Sequence, residues 1–251
     1  MNGQFIFERA FGVIKEHKLF LAAMVIVALP NALYSVLQGP YPLGAAILVL
    51  VMQPLYFGGL YMALKAWRNE PLAWGQLLYC YRGGRLGRTI WYALAYCGAA
   101  LLAGLAIGVG IVLSAFFGIL APVGMLAAAF FGLAVLGIFI YPMVLAYLED
   151  PKLSVGEAYS QGRGLTEGKF KPLLGIAWGI FWRLGLAAAL PEILVFSLGA
   201  ESPVSMVIQA VLSYMVTVYT MIIIAGVWQQ LLPHGQPSST KDSTALAETL
   251  F

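Results

Sequence analysis

The chain has 251 residues, of which 61% are hydrophobic and only 10% are charged. A soluble domain carries about 25% charged residues, so this composition excludes an ordinary soluble domain and predicts a chain that is solvated by lipid. The net charge is only +3. No basic stripe or recognition motif lies outside the segments that flank the apolar runs, which excludes nucleic acid as a partner.

Six apolar segments are long enough to cross a bilayer, which takes about 20 residues in a helix. We therefore predict an all-α membrane protein whose single six-span domain covers residues 1–232. Residues 233–251 are polar and are expected to form a disordered cytoplasmic tail. In chain order, the predicted transmembrane helices are Leu19–Leu37, Pro42–Leu64, Thr89–Leu113, Pro122–Leu148, Pro172–Leu198 and Pro203–Leu232.

The lysines and arginines lie on alternate connections between these spans. Thirteen of the fourteen precede span one, follow span six, or lie in the links between spans two and three and between spans four and five. The other three links carry none. Because positive residues are retained on the cytoplasmic side, this distribution predicts that both termini are cytoplasmic and that the spans form three hairpins.

A short segment with apolar and basic residues precedes each hairpin. Each is predicted to be a cytoplasmic amphipathic helix, which either lies in the headgroup layer or packs with the others as a cap. Gly75 and Gly156 occupy matching places, which favours parallel repeats. The helical stripes are Phe7, Ala10, Phe11 and Ile14; Trp74, Leu77, Leu78 and Tyr81; and Val155, Ala158, Tyr159 and Leu165. The expected membrane-surface contacts are Arg82, Arg85, Arg88, Lys169 and Lys171.

Polar and helix-breaking residues interrupt the second span of each hairpin, which suggests that these spans meet at a shared centre. Proline removes a backbone hydrogen bond, and in hydrocarbon the freed carbonyl needs a partner. Such residues are either structural kinks or the lining of a cavity for a lipidic or hydrophobic ligand. The ligand-binding candidates are Gln53, Pro54 and Tyr56 in span two, Tyr141 and Pro142 in span four, and Gln209 in span six.

Arg183 is the one basic residue inside a predicted span. A charge at that depth is costly unless it pairs or reaches the interface, so it marks a candidate site. One interpretation is a contact with an anionic lipid headgroup or an acidic substrate. The other is a structural bond to the backbone or to Glu192.

Catalytic and metal-binding patterns are lacking. The two histidines lie near the chain ends, and Cys80 and Cys97 belong to no metal-binding pattern; both are expected to be reduced, small apolar fillers. No nucleophile, phosphate-binding or zinc-protease motif occurs. We therefore predict no catalytic residue, no metal and no cofactor, and we expect that the chain is not an enzyme.

One stretch resembles a family. The run from Glu149-Asp150-Pro151 through Glu157-Ala158-Tyr159-Ser160, followed by Gly168-Lys169-Phe170, is similar to bacterial inner-membrane proteins of the YciC type and to the membrane domain fused to some glycerophosphodiester phosphodiesterases. The resemblance implies a multi-pass fold in the bacterial inner membrane. It implies little about activity, because function in that group is largely unassigned and the phosphodiesterase domain is missing here.

These features favour a non-enzymatic inner-membrane protein that handles a lipidic or hydrophobic ligand, or that supports membrane transport or envelope homeostasis. The alternatives are a structural or assembly subunit of a membrane complex and, third, an intramembrane lipid enzyme. The expected partners are membrane lipids and, for the assembly subunit, another membrane protein. The sequence leaves the oligomeric state open.

Overall fold

The computed structural model describes residues 3–37, 41–116, 138, 140–179, 182–183 and 203–232, and this part of the chain is helical without a strand. The prediction of an all-α protein is therefore confirmed for the described residues. The helices are α1 (Gly3–Glu16), α2 (Lys18–Leu37), α3 (Pro42–Trp67), α4 (Leu86–Phe116), α5 (Tyr141–Glu149), α6 (Val155–Thr166) and α7 (Pro203–Leu231). Residues 170–179 are helical as well.

Helix α3 lies at the centre of the bundle. It packs against α2, α4, α5 and α7, and α5 in turn contacts α7. The large side chains Phe57, Leu60 and Met62 are fully buried along it, because the apolar run of α3 continues around the whole helix. The second helix of each predicted hairpin (α3, α5 and α7) therefore meets the other two.

Glycines let these helices approach closely. A Cβ atom on Gly59 of α3 would lie 3.0 Å from Met24 of α2 and 3.3 Å from Met221 of α7. A Cβ on Gly226 of α7 would lie 2.6 Å from the ring of Trp67. Small residues at these crossings allow the close helix contacts that bundles of apolar helices need.

The link between α3 and α4 corrects the prediction of an amphipathic helix at Trp74–Tyr81. It forms two short 3-10 helices instead, Trp74–Gln76 and Tyr79–Tyr81. The Gln76 side chain closes the first, accepting from the Ala73 N–H at 3.2 Å and donating to the Pro71 carbonyl at 3.1 Å. The Leu77 carbonyl then packs so tightly on α3 that a Cβ on Gly58 would lie 1.9 Å from it. This backbone contact outweighs the helical periodicity of the side chains.

The other two predicted surface helices are present as α1 and α6. Helix α6 begins with a capping box, in which Glu157 N–H donates to Ser154 Oγ at 3.3 Å and Ser154 N–H donates to the Glu157 carboxylate at 2.8 Å. Helix α1 buries Ile6, Phe7, Ala10 and Val13, whereas Phe11 is 57% exposed. The buried face of α1 is therefore rotated relative to the predicted stripe, because α1 packs on the bundle through the face that lies beside Phe11.

By length and composition, the described part of the chain has one helix that can cross a membrane, Tyr214–Leu231, and a shorter apolar helix, Lys18–Leu29. Several predicted features lie outside the described residues. They are the tail 233–251, the links 38–40 and 199–202, the turn after span three, most of span four (122–137) and most of span five (184–198).

Candidate functional site

A polar junction joins the carboxyl-terminal ends of the three central helices. We define it as Lys65, Arg68, Glu70, Glu149, Trp228 and Gln229. The Arg68 guanidinium of α3 forms an ion pair with Glu149 of α5, and the Trp228 indole N–H of α7 donates to the same carboxylate at 3.3 Å. The Gln229 amide, with its oxygen toward Arg68, accepts from Nε at 2.8 Å. One arginine therefore ties together all three helices.

Further cations at and around the junction pair with a carboxylate or donate to backbone carbonyls at the helix ends. Lys65 pairs with Glu70 at 2.5 Å. Arg9 of α1 donates to the Trp67 carbonyl at 2.8 Å, and Lys169 donates to the Leu231 carbonyl at 3.2 Å. Cations at carbonyl-bearing helix ends satisfy free acceptors and oppose the helix dipole. Several cations therefore lie at this end of the bundle, and each of these three has a carboxylate or a carbonyl as its partner.

Deeper along α3, three tyrosines from three helices meet. The Tyr141 hydroxyl of α5 lies 3.0 Å from that of Tyr56 of α3 and 3.3 Å from that of Tyr96 of α4. The Phe57 ring contacts Tyr96 edge-on, with 6.1 Å between ring centroids. The structure thus brings together two predicted ligand candidates, Tyr56 and Tyr141, and adds Tyr96, which the sequence did not single out.

The proline candidates lie at close backbone contacts. Gln53 and Pro54 are buried inside α3. Pro54 cannot donate to the Leu50 carbonyl one turn earlier, and the Tyr81 hydroxyl donates to the neighbouring Val51 carbonyl at 3.0 Å. Pro142 of α5 packs against α6 so closely that a Cβ on Gly162 would lie 2.8 Å from its backbone carbon. Both prolines therefore have structural contacts. Gln209 lies in α7.

Arg183 borders a recess between α1 and the helical residues that begin at 170. Its guanidinium lies 4.0 Å above the Phe7 ring, and a Cβ on Gly179 would lie 3.3 Å from the same ring. The recess encloses about 500 Å³ and is lined by Gly3, Gln4, Phe7, Glu8, Pro172, Gly175, Ile176 and Arg183. Arg183 is exposed, and among the described residues no carboxylate lies within ion-pair distance of it.

An apolar cavity adjoins this recess. It measures about 60 Å³ and lies between α5, the helical residues 170–179 and α7, with Leu145, Leu173, Ile224 and Leu231 in its walls. Ile176 lines both the cavity and the recess, and Tyr141 and Pro142 line the cavity as well. A polar recess, lined by both Glu8 and Arg183, thus lies beside a narrow apolar cavity.

The predicted membrane-surface cations differ in their surroundings. Arg82 and Lys171 are exposed, Arg85 lies 4.2 Å above the Tyr79 ring, and Arg88 donates to the Pro151 carbonyl at 2.9 Å. Lys169 holds the end of α7. Burial raises the pKa of the Cys80 thiol, near Arg85, to about 12, so this thiol stays protonated at neutral pH.

Sequence reasoning missed the junction and the partner of Arg183. Glu149, Arg68 and Gln229 carry no local signal in the sequence, because their partners come from other helices. Phe7 is separated from Arg183 by most of the chain. Among the described residues, no cluster of three or more histidines, cysteines or acidic residues could hold a metal ion.

Comparison of the chain with protein-family models, curated proteins and solved structures found no match. The resemblance to YciC-type proteins therefore stays a prediction. A functional assignment depends on the geometry of the molecule itself. Its chemistry is that of a cation and a ring beside an apolar cavity, which suits recognition of a molecule with a charged head and an apolar body.

Proposed function

We propose that the chain is an integral protein of the bacterial inner membrane, with six transmembrane helices in three hairpins and both ends in the cytoplasm. Helix length supports this: α2, α3, α4 and α7 have 20, 26, 31 and 29 residues, and about 20 suffice to cross the hydrocarbon core. Large apolar side chains also remain exposed along these helices, among them Val25, Ile47, Leu101 and Val211. Large exposed apolar side chains on several helices suit lipid as the solvent.

The placement of charge supports the proposed orientation. Arg9, Arg68, Arg88 and Lys169 all make contacts at the carboxyl-terminal ends of α3, α5 or α7, or in the segment just after α5. These cations therefore gather at one end of the bundle. Positive residues concentrate on the cytoplasmic side of inner-membrane proteins, so this end is assigned to the cytoplasm.

Within that membrane the protein binds an anionic amphiphile rather than catalysing a reaction. The observation that carries this proposal is the placement of Arg183, which lies over the Phe7 ring at 4.0 Å on the rim of the recess. Stacking on an aromatic ring holds a guanidinium in place while its donors stay available. The head of the ligand pairs with Arg183, and its apolar body lies along Ile176 toward the cavity between α5 and α7.

The test uses the full chain purified in detergent and titrated with dioleoyl phosphatidylglycerol, with bound lipids counted by native mass spectrometry. The substitution Arg183→Gln removes a charge-assisted hydrogen bond and is expected to weaken one lipid-binding site about tenfold. Arg183→Lys, which keeps the charge, is expected to retain part of the affinity. Dioleoyl phosphatidylcholine is expected to respond much less.

Lys15→Gln is the matched control, because Lys15 also lies over a phenylalanine ring, 4.4 Å above Phe11, but does not line the recess. It should leave binding unchanged. Equal phosphatidylglycerol affinity in the wild type and Arg183→Gln would overturn the proposal, as would an equal loss in the Lys15 control.

A further inference from the structure

A second recess lies between the first turns of α4 and the segment that enters α6. It encloses about 260 Å³ and is lined by Arg88, Trp91, Tyr92, Lys152, Leu153, Ser154 and Val155. It shares no residue with the recess around Arg183. Its walls combine two cations with an exposed tryptophan.

The walls are held in place before any ligand arrives. Arg88 donates through one nitrogen, Nη1, to the Pro151 carbonyl at 2.9 Å. Tyr92 donates to the Leu153 carbonyl at 3.1 Å and stacks on Tyr147 with 4.1 Å between ring centroids. These bonds fix α4 against the segment before α6. A guanidinium has five N–H donors, so Arg88 can contact this carbonyl and a ligand at the same time.

Two carboxylates lie near the recess. The Asp150 carboxylate accepts from the backbone N–H of Lys152 at 2.9 Å, and the Glu157 carboxylate accepts from the backbone N–H of Ser154 at 2.8 Å. Both serve the turn and the start of α6, and neither lines the recess. Arg88 and Lys152 are therefore the charged residues that line the recess itself.

An apolar stripe leads from the recess along α4. Trp91 is 67% exposed, and Leu94, Leu101 and Leu105 are also exposed on the same helix. Their spacings of three, seven and four residues place them on one face. A tryptophan next to cations at the start of such a stripe is typical of the interface between headgroups and acyl chains.

We propose that this recess binds the phosphate headgroup of an anionic lipid of the cytoplasmic leaflet, with Arg88 and Lys152 on the phosphate and an acyl chain along α4. The inference rests on the membrane placement proposed above, but not on the ligand proposed for Arg183. Since α4 and α6 both contribute to the recess, the bound lipid joins the start of the second hairpin to the surface helix of the third.

The test uses the full-length protein in detergent and native mass spectrometry with dioleoyl phosphatidylglycerol, dioleoyl phosphatidylcholine and inorganic phosphate as separate probes. The double variant Arg88→Gln/Lys152→Gln is expected to bind phosphatidylglycerol at this site at least about tenfold more weakly, since each cation near a lipid surface contributes about 1 kcal/mol. Phosphatidylcholine should bind the wild type and the variant equally. Millimolar inorganic phosphate should not displace the lipid.

The control Lys18→Gln/Arg163→Gln removes two exposed cations that do not line the recess and should retain full affinity. Lys152→Gln alone is included because it leaves the Arg88 bond to Pro151 intact, and about half of the loss in log affinity should follow from it. Measured in the Arg183→Gln background, the effect should persist, so failure of either proposal can be told from failure of the other. Unchanged phosphatidylglycerol binding in both the single and the double variant would overturn the inference. Displacement by inorganic phosphate would overturn the assignment to a lipid.

Discussion

Two arginines with opposite surroundings illustrate how this molecule uses charge. Arg68 lies in the polar junction, where it meets the Glu149 carboxylate and the Gln229 amide. Arg183 lies on the rim of an open recess, with its guanidinium over the Phe7 ring. In the junction the arginine pairs with a carboxylate of the same chain, whereas at the recess the arginine lies over an aromatic ring. The same residue type thus holds helices together in one region and lies over an aromatic ring at the rim of a recess in the other.

The two regions also differ in packing. At the junction end, helix α3 is enclosed by backbone and ring contacts, as at Gly58 and Gly226. Around the recess, Gly175 has no atom within 4 Å of the position of a Cβ. Close packing transmits strain and resists substitution, so stability should depend on the junction and ligand binding on the recess.

The largest expected effect is a difference in the free energy of unfolding between variants of the Arg68 and the Arg183 environments. Glu149→Leu removes the closer carboxylate of Arg68, whose side chain is 18% exposed, and leaves it only Glu70 at 3.9 Å; it also removes the acceptor of Trp228. Breaking a largely buried ion pair on one side costs about 3 kcal/mol. Arg183→Leu should change the free energy of unfolding by less than about 1 kcal/mol, because no carboxylate in the described part of the chain pairs with its cation. Chemical denaturation in detergent measures both.

The double variant Arg68→Met/Glu149→Leu sharpens this test. Removing both charges leaves no unpaired ion, so it should recover much of the stability lost in Glu149→Leu. Equal destabilisation by Glu149→Leu and Arg183→Leu would contradict the distinction between the two regions.

A smaller effect is expected from backbone packing. In Gly58→Ala the new methyl would lie 1.9 Å from the Leu77 carbonyl oxygen, so the link must move away from α3, at a cost of about 2 kcal/mol. Gly175→Ala is the control, because the added methyl enters open space and alanine favours a helix by about 0.5–1 kcal/mol over glycine. Thermal unfolding should show a lower midpoint for the first variant and an unchanged or higher one for the second.

The smallest expected effect is on the pH dependence of stability at the start of α6. The backbone N–H of Ser154 donates to the Glu157 carboxylate and lowers its pKa. Because the pKa is lower in the folded state, this stabilisation of α6 is complete above the ordinary glutamate pKa. It is lost as the pH falls through the lowered value. Glu157→Gln keeps an acceptor but removes the titration, so the stability difference between the two proteins should shrink from pH 7 to pH 3. A constant difference would contradict this assignment.

Helix positions were predictable from the sequence, whereas the contacts between helices were not. Pro42 and Pro203 begin α3 and α7 as predicted, because proline is compatible with the first turn of a helix. The spacing of Trp74, Leu77, Leu78 and Tyr81 predicted a helix wrongly, since the docking of Leu77 depends on Gly58 in another element. Arg183 stood out as a lone cation, but its ring partner Phe7 could be found only in three dimensions.

The hydrogen bond from Tyr81 to the Val51 carbonyl, next to Pro54, bears on how the chain is made. The two residues are 30 positions apart, so at about 5–20 residues per second Tyr81 is synthesised about 2 to 6 s after Val51. Until then the turn of α3 before Pro54, where the Leu50 carbonyl already lacks its usual backbone donor, also lacks this hydrogen bond. The contact that braces α3 just before Pro54 is therefore completed only after the link that follows this helix has been synthesised.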